Sequence, residues 1–132
     1  MQDRPSFIEL LDAVREFLEV EVAPRQGDHR ERFRTLVAIN ALTILGREFE
    51  HEPELVRDEA QRLLQLLGLR RDSPSQPDQL PQLVLALNRE LAALIRRGDA
   101  PAGTLAHLRA VGAAKLRVAS PQYLSRYDTR PR

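Results

Sequence analysis

Between Leu80 and Ile95 the apolar residues fall at steps of three and four: Leu80, Leu83, Val84, Leu87, Leu91, Leu94 and Ile95. That spacing gathers them on one side of a helix, a side that is stable only when something covers it. The same period returns through most of the chain, and no segment reads as a credible strand. The chain is therefore confined to helix-on-helix architectures.

Start and stop signals divide the pattern into five predicted helices. The first spans Phe7 to Val22, opened by Ser6 and Glu9 in capping-box spacing and closed by Pro24. Asp28 is placed to cap the second, about His29 to Glu50, which between Leu36 and Leu45 is apolar almost all round. The third starts near Pro53, a first-turn proline, and stops at Gly68, with Val56, Ala60, Leu63, Leu64 and Leu67 as its stripe. The fourth runs from Leu80 to Arg97 and ends at Gly98. The fifth runs from about Pro101 to Ala119 with a stripe of Leu105, Leu108, Val111, Gly112, Leu116 and Ala119. Asp72 to Pro77 is a low-complexity surface loop. A chain of 132 residues supports one core. The expectation is an all-α, single-domain bundle of about five antiparallel-type helices over residues 1–124, followed by a flexible C-terminal tail over 125–132.

Composition excludes several functions. The net charge is +1, and the positive charge is almost all arginine, Lys115 being the one lysine. The arginines alternate with carboxylates, which argues against a nucleic-acid face. The chain has no cysteine, so disulfides, thiolate catalysis and Cys-based zinc sites fall away. The opening residues Met1 to Pro5 contain no apolar h-region of a secretory signal, and the longest apolar run is about half the ~20 residues that span a bilayer. A cytoplasmic protein without membrane contact is expected.

Catalytic and metal motifs are sparse. His29, His51 and His107 share no helical-turn spacing, and Glu48-x-x-His51 occurs once where a di-iron bundle needs it twice with two more glutamates. No serine sits in a nucleophile elbow, and the six glycines are dispersed rather than gathered in a phosphate loop. No metal or cofactor is expected, and an enzyme is the less favoured reading.

Polar residues inside apolar sectors are more informative. Glu21 shares a sector with Phe7, Leu10, Val14 and Phe17, and Lys115 falls between Leu108 and Val111. A buried charge needs a partner, so one reading pairs Glu21 with Lys115 near one end of the bundle. The other lets both heads reach water from the rim. Asn40 lies between Phe33, Leu36, Val37 and Ile44, with Thr43 beside it and Arg47 further along. A buried amide must be hydrogen-bonded. It either ties two helices together or joins Thr43 and Arg47 in the wall of a small polar pocket. Gly112 is expected to permit close helix contact.

The opening residues up to Leu10-Leu11-x-x-Val14-Arg15-x-Phe17-Leu18, together with Asn40-Ala41-Leu42, resemble a family of small bacterial all-helical proteins of unknown function. So do Leu105-Ala106-His107-Leu108-Arg109 and the run from Lys115-Leu116 to Tyr123-Leu124. The resemblance implies genes set beside aminoglycoside-phosphotransferase-like kinases and acyl-CoA dehydrogenases. By association it implies an accessory role in small-molecule metabolism. Gly103 and Gly112 depart from that family by weakening the fifth helix. Three readings follow. The first is a non-catalytic accessory or interaction module, self-associating or bound to a phosphotransferase-like or acyl-CoA-metabolising enzyme. The second is a small-molecule binder or enzyme using Asn40, Thr43, Arg47, Glu21 and Lys115. The third, weaker, is a nucleic-acid binder using Arg30, Arg32 and Arg34.

Overall fold

Ser6 opens the first helix as its spacing predicts. Its hydroxyl accepts from the Glu9 N–H at 3.2 Å, and the Glu9 carboxylate accepts from the Ser6 N–H at 2.6 Å. Two of the backbone donors orphaned at a helix start are thereby satisfied. In the computed structural model, which describes residues 4–70 and 79–128, this helix is α1, Phe7–Phe17. It passes into a wider π turn, Leu18–Val22, where the Ala23 N–H donates to the Leu18 carbonyl, and then a short 3-10 turn, Ala23–Arg25. Pro24, which has no N–H to give, coincides with this change of winding.

The remaining elements are α2 (His29–Leu66), α3 (Leu80–Arg97), α4 (Thr104–Ala119) and α5 (Pro121–Asp128). The protein is all-α, with five α-helices and no strand among the described residues. Two of the predicted boundaries are corrected. The second and third predicted helices are one 38-residue helix, with Pro53 in its interior rather than its first turn. The reason lies in what is missing before the proline. No glycine or asparagine follows Glu50 to turn the chain out, so Pro53 removes one bond from the ladder without ending it. At the other end, a further helix, α5 (Pro121–Asp128), follows the predicted end at Ala119 and takes in 125–128, expected as the start of the tail; Ser120 joins it to α4. The predicted loop from Asp72 to Pro77 lies outside the described residues.

True stops do carry glycine. Gly68 and Gly98 have φ of 66° and 81°, the left-handed region open to a residue without Cβ. After α2, Leu69 N–H donates to Leu64 O and Gly68 N–H to Gln65 O. After α3, Asp99 N–H donates to Leu94 O and Gly98 N–H to Ile95 O. This paired arrangement closes the last carbonyls of both helices.

Two compact units divide the chain, Met1–Glu50 and His51–Arg132, and α2 runs through the boundary. The first is a helical hairpin. Phe7 stacks against Phe49 with ring centroids 4.4 Å apart, so the start of α1 lies against α2 far from the turn. Near the turn, the Thr35 hydroxyl donates to the Gln26 side chain at 2.8 Å, and Asp28 caps α2 through the Arg30 N–H at 3.0 Å. Gly46 brings the two helices close, since a Cβ built on it would stand 3.1 Å from Leu11 Cδ2. Gly112, expected to do this, is exposed and has nothing within 4 Å of a built Cβ.

The core sits in the second unit. Leu63 and Leu64 of α2 meet Leu87 and Leu91 of α3, with Leu66, Leu67, Leu69, Leu83 and Val84 packed around them. Leu63 is 0 % exposed and Leu91 2 %. These belong to the stripes predicted for the third and fourth helices. Burying one such leucine stabilises by about 1.5–3 kcal/mol.

Pro53 supplies a test of the continuous helix. Pro53→Ala restores the hydrogen bond to the Phe49 carbonyl and removes the ring clash, so stability should rise by roughly 1–3 kcal/mol. Chemical denaturation followed by circular dichroism measures it. A helix that ended at Glu50 would gain nothing from the change.

Candidate functional site

The structure distributes the sequence-predicted site residues over both units. Asn40 is exposed, not lodged in a covered apolar sector, so the requirement for a buried amide partner does not arise. Phe33, Leu36 and Val37, its apolar neighbours, are themselves 49–61 % exposed. Thr43 and Arg47 are half-buried, and the Thr43 hydroxyl donates to the Ile39 carbonyl at 2.9 Å. Glu21 pairs with Arg25 one turn along its own segment. Lys115 is exposed on α4, in the second unit, whereas Glu21 belongs to the first. Of the two readings of Glu21 and Lys115, these exposures fit the one in which the charged heads reach water. Periodicity gives a residue's angle on its helix, not whether that angle is covered.

What the first unit presents instead is an open apolar surface. Among its described residues Ala23 alone is buried. With Leu11 and Gly46 marking the seam, a step of about 100° per residue places Phe7, Leu10, Val14 and Phe17 to one side of it on α1. Leu45 and Phe49 of α2 fall to that same side. These six are 48–58 % exposed. Two helices can bury only the residues along their seam, so a second row stands in solvent. Phe33, Leu36 and Val37, with Asn40, form a separate exposed stripe on the far side of α2.

The second unit carries a buried polar cluster that sequence reasoning passed over. His107 on α4 is 5 % exposed, and neither ring nitrogen has a protein hydrogen-bond partner. Nε of Arg62 on α2 is likewise buried and unpartnered. One turn before it on the same helix, Glu59 accepts from the Asn88 amide of α3 at 2.8 Å. Thr104, also buried on α4, returns its hydroxyl proton to the Pro101 carbonyl at 2.7 Å. Burial holds the His107 imidazole below its ordinary pKa of 6.5, Glu59 acting in the opposite sense and Arg62 in the same one.

The expected stripe of α4 is corrected here. Leu105 and Leu108 are 61 % and 48 % exposed, while Thr104 and His107 turn inward. Hydropathy pointed to the leucines. The one available signal was spacing, because 104 and 107 are three apart and share a side adjacent to that of 105 and 108. Gly103, expected early in this helix, stands before it as the cap.

Chemically, a neutral imidazole offers one donor and one acceptor, but no hydroxyl nucleophile is hydrogen-bonded to it in the arrangement that nucleophilic catalysis requires. Among the described residues no group of three His, Cys, Asp or Glu is placed to hold a metal ion. No described helix is long and apolar enough to cross a membrane. Arg30, Arg32 and Arg34 are all exposed in the first turns of α2.

Among the described residues, fold and surface define an all-α chain with an uncovered hairpin face and one leucine core. The chain belongs to the DUF6285 family, a domain of unknown function, whose family model matches residues 25–123. The match begins after the first helix, so the likeness in the opening residues lies outside it. No curated protein and no solved structure matches the chain.

His107 makes the second unit acid-sensitive in a defined direction. The unfolded chain takes up a proton near pH 6.5, while the folded chain resists until lower pH. Stability should therefore fall as pH drops from about 6.5 through the folded value, by at most about 1.4 kcal/mol per pH unit from this group. His107→Leu removes two unpaired ring nitrogens, so it should leave stability at pH 7 unchanged or raised and flatten that acid slope. Urea titrations of both proteins across pH 5 to 8 (roughly the window in which histidine titrates) provide the comparison. An unchanged slope would remove His107 from the account.

Proposed function

We propose that this protein is a non-catalytic interaction module that acts through the open apolar face of its first unit. One observation carries the reading: Phe7, Leu10, Val14, Phe17, Leu45 and Phe49 stand about half-exposed on one side of a hairpin in which Ala23 alone of the described residues is buried. Monomeric proteins seldom leave contiguous apolar patches of more than a few hundred Å² in water, and larger ones mark binding surfaces. Nothing at His107 supplies the paired, oriented groups of a catalytic site.

The partner class expected from the sequence resemblance is a phosphotransferase-like or acyl-CoA-metabolising enzyme of a bacterial cell. A cytoplasmic accessory subunit fits that resemblance. Self-association is compatible with the same face. A second reading, small-molecule binding through Asn40, Thr43 and Arg47 with Glu21 and Lys115 as further contributors, draws on Thr43 and Arg47 being half-buried one turn apart on α2.

Isothermal titration of the full chain with a purified phosphotransferase-like or acyl-CoA dehydrogenase protein from the same genome separates these readings. Binding should weaken at least about 100-fold in Phe17→Glu, because the interface would have to bury an unpaired carboxylate. Equal affinity for the wild type and Phe17→Glu would exclude the face as the docking site. A thermal shift with acyl-CoAs or nucleotides that disappears in Asn40→Leu or Arg47→Leu would favour the second reading instead.

A further inference from the structure

We infer that the occupant of the open hairpin face is a second copy of this chain, the two hairpins closing face to face into a four-helix assembly. The inference rests on the interaction-module reading and names its partner. Three observations support it.

The first is area. Six side chains of this size, each about half-exposed, present roughly 550 Å² per copy. Pairing two copies buries roughly 1,100 Å² from these alone, close to the lower end of the ~1,200–2,000 Å² of stable interfaces before any rim residue is counted.

The second is charge. Residues 7–22 carry Glu9, Asp12, Glu16, Glu19 and Glu21 against Arg15, a net charge of −4. Residues 29–50, the part of α2 in the same unit, carry Arg30, Arg32, Arg34 and Arg47 against Glu31, Glu48 and Glu50, a net charge of +1 with His29 neutral. Within the hairpin the acidic α1 already lies antiparallel to the slightly basic first half of α2, whose Arg30, Arg32 and Arg34 stand at the turn end. A two-fold axis along the helices repeats that relation between copies, setting each α1 against the α2 of the other chain and the two acidic helices on a diagonal. Stacking α1 on α1 would oppose like charges.

The third is the composition of the face. Its six residues include no charged side chain, and Glu21, which shares their sector at the end of the segment, is already paired with Arg25. Such a face is complementary to itself, the condition an isologous interface imposes. The other exposed stripe, Phe33, Leu36 and Val37 with Asn40, has its amide within the apolar row and lies on the far side of α2.

Light scattering coupled to size-exclusion chromatography of the full chain should give twice the chain mass at micromolar concentration. Leu10→Glu and Phe17→Glu should raise the dimer dissociation constant at least about 100-fold with helical circular dichroism retained, whereas Val37→Glu on the far stripe should change it less than about threefold. Because the chain has no cysteine, register can be read with single thiols that leave the backbone intact. A mixture of Leu10→Cys and Leu45→Cys chains should oxidise mainly to the mixed dimer. Predominant Leu10→Cys self-linkage, or loss of the dimer in Val37→Glu alone, would overturn the arrangement. A wild-type monomer that binds an apolar dye in a manner abolished by Phe17→Glu would overturn the second copy while leaving the interaction-module reading in place. A monomer that binds no dye would remove both.

Discussion

A helix keeps its apolar stripe out of water only where another element covers it, and cover is distributed unevenly along this chain. Leu63 and Leu64 find Leu87 and Leu91, and the resulting cluster is dry. It anchors the second half of α2 to α3, and the glycine-terminated ends at Gly68 and Gly98 fix where both helices stop. The first half of α2 has the same kind of residues and no comparable cluster. Phe33, Leu36, Val37, Leu45 and Phe49 stay about half in solvent. One continuous helix is thus core at one end and surface at the other, and Pro53 sits between the two regimes.

Helix positions were legible because local signals were consistent. The Ser6–Glu9 box, the Asp28 cap and the terminal glycines act through backbone groups within a turn or two of themselves, so sequence alone locates them. The merging of two predicted helices was less legible. Proline is a favourable first-turn residue and a tolerable interior one, and only the absence of a chain-reversing residue after Glu50 distinguishes the two. Burial was harder still. For α3 the richest stripe was the buried one. For α4 it was not, because the buried side carries Thr104 and His107 while Leu105 and Leu108 face out. Cover is a property of neighbours, and neighbours are set by tertiary contacts that no single-helix pattern contains.

The same difference explains why the polar residues singled out from sequence and those found buried are different sets. Asn40 and Lys115 attracted notice as hydrophilic groups in apolar rows, yet both rows are open there and neither group is desolvated. His107 stands out in the sequence only as one of three histidines weighed as metal ligands, because beside leucines it looks like an ordinary surface histidine. Its burial leaves both ring nitrogens without protein partners, beside the equally unpartnered Nε of Arg62, at a cost of about 1–3 kcal/mol for each group left unmade. A core that carries such groups gives up stability where α2, α3 and α4 converge. The Glu59–Asn88 bond offsets part of that loss by tying two of the three helices together.

Length sharpens the consequence for the hairpin. α1 with the π turn that continues it, Phe7–Val22, has 16 residues, little beyond the ~12–15 below which isolated helices are marginal in water. Its capping box and its i,i+3 and i,i+4 ion pairs, Arg15 with Asp12 and with Glu19, each add a few tenths of a kcal/mol to about 2 kcal/mol. The Phe7–Phe49 contact and the close approach at Gly46 add packing along one seam. None of these buries the row that runs through Leu10, Val14 and Phe17. Whatever covers that row adds the apolar burial that the first unit lacks, so ordering of α1 and occupation of the face are thermodynamically linked. The surface that would recognise a partner is then also the part of the chain whose own helix gains most from having one.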